Sequence, residues 1–164
     1  MEGSRYEESL RLEISQGDIF SNVPFADWVT HPDGATGISS SKRHHAMLLT
    51  FDCEFDKNNV TPVHYVLVAK IVPLAMAPKD RWAMIRKERS YDIFYLPEAE
   101  NFQESFVDFR QMERMAKDGL LPPSSVSGRI LSIKSPYRIK LRLSLAQFFG
   151  MTRDSEVDPV TVSP

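Results

Sequence analysis

The sequence predicts a mainly β, α+β domain, and three features carry that expectation. Two apolar runs, HAMLLTF at 45–51 and VHYVLVAKIV at 63–72, are too short and too apolar or β-branched for surface helices and read as central strands. Two further runs, YDIFYLPE and ESFVDFRQMERM, alternate or cluster aromatic and β-branched residues in the same manner. The clearest helix signals are a short stretch after Pro78 and a longer one after Ser135, while DFRQMERMAKDG, with good helix formers and a terminal Gly119, is ambiguous between strand and helix.

The chain of 164 residues fits one domain, expected over 1–151, with 152–164 as a flexible tail that lacks any apolar period. Hydrophobic residues make up 42% and charged residues 26%, an ordinary composition for a water-soluble protein. No apolar run approaches the ~20 residues a membrane helix needs, so no membrane partner is expected. The start, MEGSRYEESLRLE, lacks the basic-then-apolar layout of a secretion signal, which makes the cytoplasm the expected location. A single cysteine agrees with a reducing compartment and removes multi-cysteine zinc motifs. With a formal net charge of -2, any phosphate-binding surface has to be a local patch.

Taken in order, Leu10, Leu12 and Ile14 alternate as a short edge strand would. QGDIFSNVPFADW follows a Gly-Asp turn and reads as a first core strand that breaks at Pro24. THPDGATGISSSK, from Thr30 to Lys42, collects turn residues and reads as a loop. The two central strands, joined by the polar DCEFDKNNVTP, form a long-looped hairpin. APKDRWAMIRKERS is a short inserted helix that places Trp82, Ile85 and Arg89 on one face. ESFVDFRQMERM is a strand whose second half also contains good helix formers. After the loop GLLPPSSVSG, RILSI is a last strand. In KSPYRIKLRLSLAQFFG, Tyr137, Ile139, Leu141, Leu143 and Leu145 alternate as in a half-buried strand, but Ser135 as N-cap, Pro136 and Gly150 favour a helix.

The stretch KRHHAMLLTFDCEFDK concentrates the candidate chemistry. On a strand, His45, Met47, Leu49, Phe51 and Cys53 face one way, and His44, Ala46, Leu48, Thr50 and Asp52 the other. The histidines therefore diverge, and a shared zinc ion would need Cys53 or His44 to meet His64 or His31 across strands. Two strand-end histidines at a solvated edge are the simpler reading, so no metal and no cofactor is assigned. Cys53 beside Glu54 and Asp56 makes a poor nucleophile, because neighbouring negative charge thins the thiolate. Asp52, Glu54, Asp56 and Asn58 alternate as in a calcium loop, but the glycine and the closing glutamate are missing. KDRWAMIRKER and KSPYRIKLR mix cations with an aromatic ring, which suits single-stranded nucleic acid. On a helix Arg138 and Arg142 share a face and would make a phosphate track; an ordinary exposed helix face is the alternative.

The order GDIF, HHAMLLT, VLVAKIV resembles the bacterial toxins of the PemK/MazF type. That resemblance implies an SH3-like β-barrel that dimerises, is neutralised by an antitoxin and cuts single-stranded RNA without a metal. It covers the first half of the chain. A second likeness, to small bacterial proteins with a Leu-Thr then Cys-Asp or Cys-Glu strand end and a terminal helix, covers most of 17–150. Gly17, Asp18 and Ile19 match the toxins' opening strand, whereas His44 stands in place of their catalytic arginine, His45 in place of the next proline, and Val72 in place of their threonine or serine. Valine cannot assist proton transfer, and Arg43 would reach the arginine's place only through a one-residue slip that turns the core outward.

The expected architecture is therefore a small SH3-like β-barrel with one short inserted helix and a C-terminal helix. Two functions follow. The first is a non-catalytic binding or interaction module of a bacterial or mobile-element protein, with Cys53, Asp56, Lys57, Arg138 and Arg142 as contact candidates and a protein partner or second copy as ligand. The second is a toxin-like endoribonuclease acting on single-stranded RNA, with Arg43, His44 and His45 at the phosphate and Asp52 or Glu54 orienting them.

Overall fold

A glycine turn delivers the chain into its first strand. Gly17 sits at φ +89°, and a Cβ there would meet Ile133 Cγ1 at 2.5 Å, so the close approach requires glycine. The computed structural model describes residues 4–10, 14–51, 64–120 and 128–150. It contains β1 (Asp18–Thr30), β2 (Thr36–Leu48), β3 (Tyr65–Pro73), α1 (Trp82–Arg86), β4 (Ile93–Leu96), β5 (Ser105–Ala116), α2 (Lys117–Leu120), β6 (Arg129–Ser132) and α3 (Ser135–Phe148). The strands form one six-stranded sheet in the order β4-β5-β3-β2-β1-β6, with every pairing antiparallel. Among the described residues no helix is long and apolar enough to cross a membrane.

Alternation along β2 divides the core between the two faces of the sheet. Met47 and the following Leu49 join Ile19, Ala69, Ile71 and Phe109 in one cluster, which α3 covers with Leu141 and Leu145. Ala46 and Leu48 join Phe20, Val23, Phe25, Val66 and Val68 in the other. The expectation of a central strand over 45–51 is met as far as Leu48, with Ala46, Met47 and Leu48 fully buried; Leu49 to Phe51 lie beyond the end of β2, and Phe51 is 45% exposed.

Two bulges adjust the remaining strands. Phe20 and Val23 have opposite parity yet share a cluster, because the β1–β2 register shifts between them and Asn22 takes φ 61°. In β5 the register slips opposite Ala69 and Lys70, where the Asp108 carboxylate accepts from the Arg110 backbone N–H, the Arg110 guanidinium and Gln111 Nε2. The helix formers of DFRQMERM are thus held in strand by an aspartate-centred knot, which resolves the ambiguity of that segment.

Several expectations are corrected. β1 does not break at Pro24 but continues to Thr30, with Pro24 opposite Arg43 of β2; among the described residues β6 pairs with β1 only over Asp18–Phe20. The supposed loop from Thr30 to Lys42 shrinks to a turn, in which Gly34 N–H donates to the His31 carbonyl and Asp33 Oδ1 accepts from Ala35 N–H. From Thr36 onward the chain is strand β2, because its backbone pairs with β1. In α3 the cap is Lys134 rather than Ser135, and the helix buries Arg138, Leu141 and Leu145 while Ile139 and Leu143 stay exposed. The helical reading holds, and the strict alternation does not describe burial. Leu12 and the loops DCEFDKNNVTP and GLLPPSSVSG fall wholly or largely outside the described residues.

The pairing order ends at β4 and β6, and the N-terminal segment links these two edges. Tyr6 bridges Ile133, Glu7 N–H donates to the Ser132 carbonyl, and Lys134 N–H donates to that of Arg5. On the other side Tyr6 Oη donates to the Pro97 carbonyl at 2.6 Å, and Arg5 Nη1 to the Tyr95 carbonyl at 2.9 Å. Beneath this strap a buried ion pair joins β1 to β6: Asp18 Oδ2 accepts from Arg129 at 2.9 Å and Oδ1 from the Ser132 hydroxyl at 2.6 Å.

Candidate functional site

The cavity that stands out arises where β2 parts from β3. Their ladder ends at Leu48 and Val68. Leu49 N–H still donates to the Leu67 carbonyl at 2.9 Å, but Leu67 N–H donates to the Thr50 hydroxyl at 2.8 Å instead of to backbone. A side chain has taken the place of a ladder partner, so the strands diverge. A cavity of about 320 Å³ opens at that point. Its buried wall is Leu49, Thr50, Val66 and Leu145, with Leu67 and Ala146 half-buried. Phe51, Tyr65 and Phe149, each roughly half exposed, line its outer part.

Two arginines line it from different elements. Arg114 of β5 lies opposite Leu67, and its Cζ sits 4.2 Å from the centroid of the Tyr65 ring. Arg142 of α3 donates from Nε to Gln16 Oε1 at 2.7 Å, and Gln16, itself fully buried, donates from Nε2 to the Leu49 carbonyl at 2.6 Å. Both cations are therefore anchored before any ligand arrives. Both arginines are exposed, so solvent screens their attraction to an anion everywhere except beside the apolar wall. Among the described residues, no carboxylate or imidazole lines the cavity. The arrangement can hold an anion with an apolar body.

The residues singled out from the sequence are dispersed. Arg43 Nη1 donates to the Asn22 carbonyl at the β1 bulge, 2.9 Å away. The His44 ring stands edge-on to Phe25 and the His45 ring is tilted against Phe102, each 6.0 Å between centroids, so the pair straddles the sheet. Burial holds the His45 imidazole below its ordinary pKa. Val72 is half-buried near the end of β3. Asp52, Cys53, Glu54, Asp56 and Lys57 lie outside the described residues. Among the described residues no three His, Cys, Asp or Glu side chains are grouped as metal ligands would be. Arg138 and Arg142 share a face of α3 as their spacing requires, but Arg138 is only 9% exposed, with Cγ 3.4 Å from the Cβ position of Gly17. Of the two cations of the expected phosphate track, Arg138 is enclosed and Arg142 is exposed.

Arg114, Tyr65, Gln16 and Phe149 were not singled out from the sequence. Arg114 and Tyr65 meet only through the β3–β5 register, and Gln16 meets Arg142 only when α3 packs back over the start of β1. The available hint was the i, i+3 pairing of Arg142 with Leu145.

A second charged cluster is structural in character. The Arg5 guanidinium lies between the Tyr95 and Tyr137 rings, 5.3 and 5.0 Å from their centroids, and pairs with Glu88, which also pairs with Lys140. Beside it Arg86 forks onto Glu104 at 2.6 and 2.7 Å, and Tyr95 Oη donates to the same carboxylate. The Arg86 hydrogen bond holds Glu104 below the usual carboxylate range, whereas burial, followed by the Glu104 bond, pushes the Tyr95 hydroxyl up to about 12. These groups satisfy one another and tie the N-terminal strap, β4 and α3 together.

No protein-family model matches the chain, and no curated protein matches it in sequence.

Proposed function

We propose that the chain is a cytoplasmic, non-catalytic binding module of a bacterial or mobile-element protein, built on an SH3-like small barrel and recognising a protein partner at the cavity between β2, β3, β5 and α3. The carrying observation is the pairing of an apolar wall with two arginines, Arg114 and Arg142, each held by a neighbouring side chain, in one cavity. The barrel reading is supported by the strap from Arg5 to Glu7, which brings the two sheet edges within reach of one segment. The likeness of GDIF and HHAMLLT to PemK/MazF-type toxins supports the bacterial setting. The divergence of His44 and His45 to opposite faces weighs against one phosphate being served by both.

Backbone amide NMR during titration with a mixed library of small fragments and short peptides tests the reading. Shifts concentrated at Thr50, Leu67, Arg114 and Ala146, and lost when Ala146→Trp fills the cavity, are expected. Shifts at Arg43 to His45 instead, with cleavage of mixed single-stranded RNA that His44→Ala abolishes, would replace it by the endoribonuclease.

A further inference from the structure

We infer that the cavity receives the carboxyl terminus of a partner polypeptide ending in an apolar residue. The terminal side chain packs against Leu49, Leu67 and Leu145, and the terminal carboxylate lies between Arg114 and Arg142. This rests on the cavity being the recognition site, and it names what is recognised there.

Three observations favour that occupant. The first is size: about 320 Å³ lies at the small end of ligand pockets, room for the end of a chain rather than for a folded surface. The second is polarity. Among the described lining residues the polar side chains are those of arginine, tyrosine and threonine, and the Thr50 hydroxyl already accepts the Leu67 N–H. The cavity thus chiefly offers donors, and the planar fork of arginine matches a carboxylate with two parallel hydrogen bonds. A nucleobase presents donors as well as acceptors on its edge, and among the described residues no carboxylate, carboxamide or imidazole lines the wall to receive them. One face of the Tyr65 ring is also already taken by Arg114.

The third observation is the nearness of cation to apolar wall. Leu145 follows Arg142 by three residues on α3, and Arg114 stands opposite Leu67 in the β3–β5 ladder. A chain terminus carries its carboxylate and its last side chain on one Cα, which matches that short spacing. An aspartate or glutamate inside a chain would instead bring two flanking peptide groups against apolar walls that offer them few partners.

The test uses the full chain and acetylated tetrapeptides ending in Leu, Ile, Val, Met or Phe, each as free acid and as carboxamide, titrated by calorimetry and by amide NMR. At least one acid binds with shifts at Thr50, Leu67 and Ala146, and its amide binds at least tenfold more weakly. Arg114→Gln weakens the acid about tenfold and leaves the amide unchanged, while its melting temperature stays near that of the wild type. Equal affinity for acid and amide overturns the carboxylate inference, yet leaves recognition at the cavity standing. Failure of every acid to bind there also overturns the inference, and the fragment titration with Ala146→Trp then decides the broader reading separately. Octanoate binding as tightly as the best peptide overturns the polypeptide in favour of a free aliphatic acid. Displacement of the peptide by an oligouridylate overturns it in favour of nucleic acid.

Discussion

At the scale of single residues, three titratable groups set how the protein meets acid. Burial depresses the pKa of His45 from its ordinary 6.5, so as pH falls the unfolded chain takes up that proton before the folded one does. The stability this residue contributes is complete above about pH 6.5 and declines below it. The Arg86 fork depresses Glu104. Burial of Asp108 works the other way, but its hydrogen bonds from Arg110 and Gln111 prevail and its pKa is also lowered. Both carboxylates stabilise the fold above their unfolded values of 4.5 and 3.8, and that contribution disappears as pH drops through their lower folded values. Acid therefore destabilises in two stages. Melting temperatures measured from pH 7 to pH 3 should show a shallow fall between 7 and 5.5 and a steeper one below about 4; His45→Gln should flatten the first and spare the second.

At the scale of elements, local pattern and long-range contact compete, and the outcome differs from one segment to the next. Ala46 to Leu48 behave as their apolar run requires, since a strand buried on both faces needs apolar residues at every position. In α3 the alternation of Ile139, Leu141, Leu143 and Leu145 suggested a strand, but Pro136 in the first turn and the i, i+4 pair Leu141 and Leu145 suit a helix with one buried stripe. Residues 36–42 lack a core pattern and are strand nonetheless, because β1 supplies the backbone partners. Gly17 shows the same dependence at a turn. Gly17→Ala should cost at least ~1–2 kcal/mol for its left-handed backbone alone, with the Ile133 overlap adding to it; urea denaturation of the two proteins measures the difference, and an unchanged midpoint would contradict the close approach.

At the scale of the whole molecule, one short segment spans from β6 to the end of β4. Tyr6 is 3% exposed, packs edge-on to Phe102 with centroids 5.9 Å apart, and hydrogen-bonds to the Pro97 carbonyl while bridging Ile133. Removing that ring should loosen both edges together. Tyr6→Ala is expected to lose ~3–5 kcal/mol, in line with deletion of a large buried ring. Tyr6→Phe should lose about 0.5–1.5 kcal/mol, the worth of one hydrogen bond. Light scattering at the unfolding midpoint should rise for Tyr6→Ala, because unprotected strand edges pair between molecules. Equal stability of the three proteins would show that the strap is dispensable.

The amino-acid sequence by itself determined the mainly β character, the buried strand around Met47, the divergence of His44 and His45, and the terminal helix. Each of these follows from a period of two or 3.6 residues, or from a capping signal, and such signals lie within a few positions of one another. The tertiary structure alone decided the bulges in β1 and β5, the strap between the sheet edges, and the cavity where Arg114, Tyr65, Gln16 and Arg142 meet. Those features depend on which strands lie side by side and in what register, and a pairing between residues far apart in the chain leaves no periodic trace in either of the segments that make it.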